Sequence, residues 1–139
     1  MGFNKVRLID IARISDPRGN LAVLEQPGAL PFSPQRAYWI YDVPAGSYRE
    51  GHAYHTASEL IVALSGSFDV TVEFSEGQTR RFTLSRPDVG LYIAPMTWRK
   101  IDNFATNSVA MVITDTLYNE DDYIRYKEQF EMLASNHSK

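Results

Sequence analysis

A histidine and two tyrosines near the middle of the chain carry side chains that are suited to moving protons. His52 and Tyr54 are two residues apart, so their side chains share one face if this segment is a strand. Tyr38 lies on a neighbouring candidate strand and could meet them inside a barrel. An imidazole supplies a base near neutral pH, and a phenol can donate to a developing oxyanion. The spacing also allows His52 to be a buried structural residue and Tyr54 to be part of a wall.

Four arginines and a tryptophan offer the groups that a nucleoside diphosphate needs. Arg49 precedes the histidine segment and could hold a phosphate or an enolate oxygen. The candidate substrate-binding residues, which lie beside turns or aromatic strands, are Arg18, Arg36, Trp98 and Arg99. Aromatic planes suit a base, and guanidinium groups suit a pyrophosphate. Taken singly, each arginine is better explained as a solvated surface charge.

A metal site is the second chemistry that the histidines allow. His55 and Glu59 match the back half of the general cupin motif in spacing, and their side chains suit a divalent transition metal. However, His52 and His55 are three residues apart, which places them on opposite faces of a strand unless a bulge intervenes. Arg99 and Lys100 stand where another ligand is expected, and cations beside a dication are unfavourable. We therefore expect no metal and no other cofactor, and keep a metal-dependent enzyme as the weaker alternative.

The elements that must position these residues are mostly short strands. Turn signals recur about every 8–12 residues, which is typical of an all-β sandwich or barrel. Apolar and polar residues alternate in Ser67–Phe74, and Glu76-Gly77 then predicts a hairpin turn. The predicted strands are Val6–Ile11, Leu21–Glu25, Ala37–Tyr41, Leu60–Leu64, Ser67–Phe74, Arg81–Leu84, Leu91–Ala94 and Val109–Thr114.

One helix is predicted near the C-terminus, capped by Asn119 with acidic residues in its first turn. Its buried stripe is predicted to consist of Tyr123, Tyr126, Phe130 and Leu133. Residues 135–139 are expected to fray. We predict one domain over residues 1–134.

Composition excludes several classes of function. The 139 residues fit one domain, and the 44% hydrophobic and 22% charged residues are ordinary for a soluble globular protein. A net charge of -3 gives no bias toward nucleic acid or anionic membranes. The chain has no cysteine, and its start lacks the apolar region of a secretory signal. We expect a cytoplasmic protein that binds neither nucleic acid nor membrane.

Several segments in order resemble one family along nearly the whole chain. They are SDPRGNLAVLEQ, PFSPQRAYWIYDVP, the RxGHA string, a Leu-Ser-Gly turn, DVGLYIAPMTW and YNEDDYIRYKEQF. Together they resemble the WxcM-like sugar 3,4-ketoisomerases of the cupin superfamily, which act on dTDP-4-keto-6-deoxyglucose in deoxysugar biosynthesis.

The resemblance implies a single cupin-type β-barrel of jelly-roll form with a C-terminal helix, usually dimeric, that binds a dTDP-linked 4-keto-6-deoxyhexose without metal. In that family a base removes the C3 proton, and an enediol is reprotonated at C4. By position, His52, Tyr38 and Arg49 match the family's active-site residues. Arg18 and Arg99 match positions beside the sugar that vary and influence the C4 stereochemistry.

This chain departs from the family pattern, since Tyr54 replaces the second histidine of the motif. The first hypothesis is a 3,4-ketoisomerase in which His52 is the base and Tyr54 or Tyr38 relays protons, with His55 as a substitute if a bulge turns it inward. Arg49 would hold the enediolate or a phosphate. The alternatives are a non-catalytic nucleotide-sugar-binding cupin, or a related epimerase or isomerase with altered chemistry. A homodimer working in lipopolysaccharide O-antigen synthesis is the expected setting.

Overall fold

The computed structural model describes residues 5–44, 46–47 and 50–137, and most of their regular structure is β-strand. The strands are β1 (Val6–Asp10), β2 (Ala12–Asp16), β3 (Gly19–Val23), β4 (Arg36–Ile40), β5 (Ala53–Tyr54), β6 (Glu59–Ser65), β7 (Phe68–Glu73), β8 (Thr79–Leu84), β9 (Val89–Ile93), β10 (Trp98–Asp102), β11 (Val109–Thr114) and β12 (Tyr123–Ile124). A 3-10 turn (Glu120–Asp122) precedes β12, and one helix, α1 (Lys127–His137), follows it. None of the described helices is long and apolar enough to span a membrane.

The strands form two main sheets and two small ones. The larger sheet has the order β1-β9-β6-β11-β4, and the second has the order β10-β7-β8. Strand β12 pairs with β5, and β2 pairs with β3. The all-β class with a C-terminal helix is therefore confirmed. The single closed barrel is not confirmed, because pairing among the described strands leaves these sheets separate.

The core lies between the two main sheets. One apolar cluster takes residues from both, including Ile61 and Val112 of the larger sheet and Val70 and Ile101 of the smaller one. Strand β6 lies between β9 and β11, and its first five residues are buried. A strand covered on both faces reads as a continuous apolar run, which explains the apolar residues from Leu60 to Ala63. A second cluster covers the outer face of the larger sheet, where Leu30 packs against β6.

The predicted hairpin at Glu76-Gly77 is confirmed, since β7 and β8 are paired antiparallel strands. Phe68 lies opposite Leu84 at one end, and Glu73 lies opposite Thr79 next to the turn. The alternation in Ser67–Phe74 is typical of a strand with one solvated face, which would include Asp69, but Asp69 is buried. Its carboxylate accepts hydrogen bonds from Arg81, Thr83 and Asn103, which replace the lost water. Three polar partners can therefore keep a carboxylate buried at a strand position where alternation predicts a solvent-facing side chain.

The predicted helix is wrong at its start. Asn119 is a cap, but of the 3-10 turn, where its side chain accepts from the Asp121 amide. Tyr123 then enters β12, Tyr126 is exposed, and α1 begins only at Lys127. Phe130 is buried as predicted. The four aromatic and apolar residues share helical spacing, but pairing between β12 and β5 holds the first of them in an extended conformation.

Candidate active site

A cavity of about 360 Å³ opens at the end of the core and collects most of the predicted site residues. It is lined by Arg36, Tyr38, Ile40, Glu50, His52, Tyr54, Glu59, Arg99, Ile101, Tyr118, Tyr123 and Arg125. A concave site with converging polar groups of this size is what a small-molecule ligand requires.

Different strands bring the proposed proton-transfer residues to one place. Strand β4 directs Tyr38 and Ile40 to the cavity, and His52 and Tyr54 reach it from β5 and the residue before it. The His52 and Tyr54 rings meet edge to face, with centroids 5.0 Å apart. The prediction that these two residues share a face and meet Tyr38 in the interior is confirmed.

Two of the predicted substrate-binding residues do not line this cavity. Trp98 lies on the opposite face of β10 from Arg99, where it packs against Phe130 beside a separate cavity. Arg18 is at the tip of the β2–β3 hairpin, where its exposed guanidinium pairs with Asp16. The proposed phosphate partner, Arg49, lies outside the described residues.

His55 does not replace the missing imidazole. Its side chain is exposed, and its backbone amide donates to the Asp122 carbonyl at 2.9 Å. The Asp122 carboxylate holds the next two residues through the amides of Thr56 and Ala57. The inward bulge that would turn His55 into the cavity is therefore absent from this described segment. For the metal-dependent alternative, His55 is exposed whereas Glu59 is buried, and no group of three metal-ligating side chains occurs in the described part of the chain.

Glu59 is the buried acidic group of the cavity, and each of its carboxylate oxygens has a partner. Its Oε1 accepts from Arg99 Nη1 at 2.5 Å, and its Oε2 accepts from the Tyr38 hydroxyl at 2.8 Å. The side chains of Glu59 and Arg99 are each only 1% exposed. Burial of such charges is tolerated when they are paired and hydrogen-bonded. Glu59 and Arg99 thus form a compensated ion pair in the cavity wall.

Tyr38 and Tyr54, the two tyrosines proposed to move protons, are neutral at physiological pH. Burial, followed by the nearby Glu59 charge, raises the pKa of Tyr38 far above its ordinary value of 10. The same two causes, in the same order, raise the pKa of Tyr54 still further. The Tyr54 hydroxyl makes no hydrogen bond of ordinary length with the described residues, although Tyr38 and Tyr123 are its near neighbours. Tyr54 therefore keeps its proton and can donate a hydrogen bond to a ligand.

Three buried donors in the cavity wall lack a protein partner among the described residues. They are Arg36 Nε, the Tyr54 hydroxyl and Arg99 Nη2. Buried polar atoms are nearly always hydrogen-bonded in folded proteins, so such exceptions indicate a ligand or bound water. Two cationic groups and a phenol favour a ligand that is rich in oxygen and negatively charged.

The mouth of the cavity has residues that sequence reasoning missed. The Arg36 guanidinium lies 5.7 Å from the centroid of the Tyr118 ring, and the Tyr118 ring also contacts the ring of Tyr123. Arg125 covers the Tyr123 ring at 4.1 Å and forms a bidentate pair with Glu120. Tyr123 and Arg125 are two residues apart, so an extended reading of this segment would have placed both on one face.

Comparison with known proteins places this architecture in a characterised group. Residues 4–135 match the family described as FdtA: WxcM-like, C-terminal. The chain is 34% identical over 126 residues to the TDP-4-oxo-6-deoxy-alpha-D-glucose-3,4-oxoisomerase of Aneurinibacillus thermoaerophilus, covering 90% of this chain and 89% of the relative.

Solved structures agree with the sequence match. A double mutant of the 3,4-ketoisomerase QdtA from Thermoanaerobacterium thermosaccharolyticum, in complex with TDP, superposes with a TM-score of 0.92 at 29% identity, covering 97% of both chains. A histidine-to-asparagine mutant of the same enzyme was solved with TDP-4-keto-6-deoxyglucose and gives the same TM-score at 28% identity, covering 96% of both chains.

A more distant structure bears on the fold alone. The dTDP-4-dehydrorhamnose 3,5-epimerase of Bacillus anthracis, a cupin-type protein, gives a TM-score of 0.78 at 17% identity, covering 88% of this chain and 79% of the other. The sequence motifs, the family match and the superposed structures agree. The chain therefore belongs to the WxcM-like FdtA family, whose relatives named above include sugar 3,4-ketoisomerases.

Proposed function

We propose that this chain converts a TDP-linked 4-keto-6-deoxyhexose to the 3-keto isomer without a metal or other cofactor. One observation carries the proposal: His52 shares a cavity with two buried donors that have no partner among the described residues, Arg99 Nη2 and the Tyr54 hydroxyl. The ketoisomerase relatives support it, and they favour it over a non-catalytic sugar-binding protein.

The reaction follows from the roles of these groups. His52 removes the C3 proton, the C–H electron pair forms a C3=C4 bond, and the carbonyl electrons move to the C4 oxygen. Arg99 and Tyr54 donate to that oxygen where negative charge develops. The protonated His52 then delivers a proton to C4, the C3 hydroxyl loses its proton as the carbonyl forms at C3, and that proton is passed to the C4 oxygen, which becomes a hydroxyl. Tyr54 or Tyr38 serves as the relay for the hydroxyl protons.

Proton NMR of TDP-4-keto-6-deoxyglucose in D₂O tests this function. The wild-type protein should exchange the C3 proton and form the 3-keto product, whereas His52→Asn should abolish turnover and keep the affinity for TDP. His55→Asn is the matched control, because this histidine is three residues away and exposed. Binding with neither exchange nor product would contradict the isomerase and favour the non-catalytic alternative. Equal loss in both variants would contradict the assignment of His52.

We also propose that the working unit is a homodimer assembled through the β2–β3 hairpin. Ile14 and Leu21 face each other across this hairpin and are 57% and 58% exposed. A two-stranded hairpin is marginally stable by itself, so an apolar pair of this kind requires a cover. Strand β4 is an edge of the larger sheet, and Trp39 on this strand and Tyr41 just after it are exposed. A second copy supplies a cover for both apolar surfaces.

In this dimer, we propose that the hairpin tip brings Arg18 to the sugar in the partner subunit's cavity. Arg18 does not line the cavity of its own chain, although the family resemblance places it beside the sugar. A mixture of Arg18→Ala and His52→Asn proteins tests the idea. If Arg18 acts across a two-fold dimer, random exchange restores up to about a quarter of wild-type activity. No restoration after demonstrated exchange would contradict the proposal.

Light scattering tests the dimer itself. Ile14→Glu with Leu21→Glu should yield a monomer, because two charges would be buried in the interface. Leu117→Glu is the control, since Leu117 is also exposed but lies outside the hairpin. A wild-type monomer at micromolar concentration would contradict the assembly.

The remaining proposals concern domain and setting. We propose that residues 1–134 form one unit of cupin jelly-roll type, and that the reaction serves deoxysugar synthesis for lipopolysaccharide O-antigen in the cytoplasm. The two facing sheets support the first. Loss of the 3-keto-derived sugar from surface polysaccharide in a deletion strain, restored by wild-type but not His52→Asn protein, tests the second.

A further inference from the structure

Glu59 plays no part in the reaction described above, yet it contacts two residues that do. It is the first residue of β6, in the larger sheet, and its two carboxylate oxygens have different partners. One oxygen accepts from Arg99 on β10 of the smaller sheet, and the other accepts from Tyr38 on β4. A single buried carboxylate therefore links groups from both main sheets at the cavity wall.

The contact with Glu59 fixes the direction of Arg99. Its Nη1 donates to Glu59, and its Nε donates to the Thr97 carbonyl at 3.3 Å. A guanidinium is planar and rigid, so two fixed nitrogens determine the position of the third. The remaining Nη2 is buried and has no partner among the described residues. Arg99 thus keeps one donor for a ligand in the cavity that it lines.

The same carboxylate fixes the hydrogen-bonding sense of Tyr38. The hydroxyl has one proton, and it donates this proton to Glu59 at 2.8 Å. What remains for a ligand is the acceptor capacity of the oxygen. Arg99 and Tyr38 therefore present opposite functions to the sugar, a charged donor and a neutral acceptor.

We propose that Glu59 is a positioning residue that orients Arg99 Nη2 as a donor to the sugar carbonyl oxygen and Tyr38 as an acceptor from the adjacent sugar hydroxyl. This inference rests on the proposed ketoisomerase function. It assigns the discrimination between the two neighbouring sugar oxygens to a residue that does not itself react. A hydroxyl can donate and a carbonyl cannot, so Tyr38 can accept from the C3 hydroxyl of a 4-keto sugar but gains no such bond from a C3 carbonyl.

The first test is Glu59→Gln, which keeps the shape and removes the charge. Misplacement of a catalytic group by about 1 Å lowers a rate about 10²-fold, and we expect a loss of kcat of that order. The affinity for TDP should stay within about threefold, since TDP has no sugar carbonyl. Asp69→Asn is the matched control, because it also removes a buried, paired carboxylate but lies outside the cavity. It should lower thermal stability while kcat remains unchanged.

A double-mutant comparison tests whether Glu59 acts through Arg99. Arg99→Gln alone leaves the Glu59 carboxylate without its cation, whereas the double variant removes both charges. If Glu59 acts by orienting Arg99, adding Glu59→Gln to Arg99→Gln lowers kcat by less than about threefold. If the kcat loss of the double variant equals the product of the two single-variant losses, the proposed coupling is overturned. Equal kcat values in wild type and Glu59→Gln would overturn the proposal outright.

A spectroscopic readout separates this inference from the proposed function. In ¹⁵N spectra, the Arg99 side-chain NH groups, assigned with Arg99→Lys, should show slow guanidinium rotation in the wild type. Glu59→Gln should make that rotation fast, and Glu59→Asp should partly restore the restraint. If the wild type does not isomerise the sugar, the proposed function fails while these spectra still test the positioning role. Unchanged Arg99 signals in Glu59→Gln would overturn it.

Discussion

His52 and Arg99 exchange both backbone hydrogen bonds across an isolated β-bridge, with N–O distances of 3.0 and 2.9 Å. The bridge joins the residue before β5 to the smaller main sheet. It holds the proposed base and the proposed oxyanion donor at a spacing set by the backbone. Side-chain flexibility therefore has little influence on the separation of the two chain segments.

Gly51 permits this bridge, and we expect Gly51→Ala to disturb it. A Cβ at residue 51 would stand 2.5 Å from Trp98 Nε1 and 2.7 Å from the Arg99 carbonyl oxygen. Relief of that overlap must move β10 or the bridge, at a stability loss of about 1–3 kcal/mol. Turnover and melting temperature should both fall. Gly77→Asn is the control, because nothing lies within 4 Å of a Cβ there and Asn tolerates the left-handed backbone. Full activity in Gly51→Ala would contradict the importance of the bridge.

Tyr54→Phe should separate catalysis from stability. The Tyr54 hydroxyl has no ordinary hydrogen bond to lose within the described structure, so the free energy of unfolding should change by less than about 1 kcal/mol. Loss of a donor to the C4 oxygen should lower kcat about 10²-fold or more. Chemical denaturation and the NMR assay measure the two effects. The control is Tyr126→Phe, which removes an exposed hydroxyl and should change neither kcat nor the free energy of unfolding. A fully active Tyr54→Phe enzyme would leave Tyr38 as the relay.

Arg36→Gln should weaken TDP binding. Arg36 lines the cavity, its Nε is buried without a partner among the described residues, and its guanidinium lies against Tyr38 and Tyr118. A charge-assisted hydrogen bond is worth about 1.5–3 kcal/mol, which corresponds to a loss of affinity of at least about tenfold. Calorimetry at fixed ionic strength measures the dissociation constant for TDP. The comparison variant is Arg86→Gln, in which the arginine pairs with Asp88 away from the cavity. Similar affinities for the two variants would place the diphosphate elsewhere.

Asp69 should contribute to stability at neutral pH and lose that contribution in acid. Hydrogen bonds from Thr83 and Arg81 lower the pKa of Asp69 to about 2, whereas an unfolded aspartate titrates near about 3.9. The unfolded chain therefore binds the proton first as pH falls, and the free energy of unfolding decreases between about pH 4 and pH 2. Denaturation curves across this range should show a shallower decrease for Asp69→Asn. An unchanged slope would contradict the assigned pKa.

The sequence by itself determined the strand character of the chain, its family and part of the cavity. Alternation along β7 and the Glu76-Gly77 turn predict a hairpin because a strand repeats every two residues. The same period places His52 with Tyr54 and Tyr38 with Ile40, and the structure confirms both pairs on the cavity wall. These features depend on neighbours in the chain, which is why they are readable from spacing.

Only the tertiary structure decided which distant residues meet. Strand β10 escaped prediction because Arg99 reads as a surface residue, yet Glu59, forty positions away, compensates its charge in the interior. Tyr123 has helical spacing to Phe130, but its pairing with Tyr54 draws it into β12 and onto the cavity wall. Trp98 faces away from the cavity because Arg99 faces into it, and adjacent residues on a strand point to opposite sides. Burial of a charge or an aromatic ring depends on partners that local sequence does not specify.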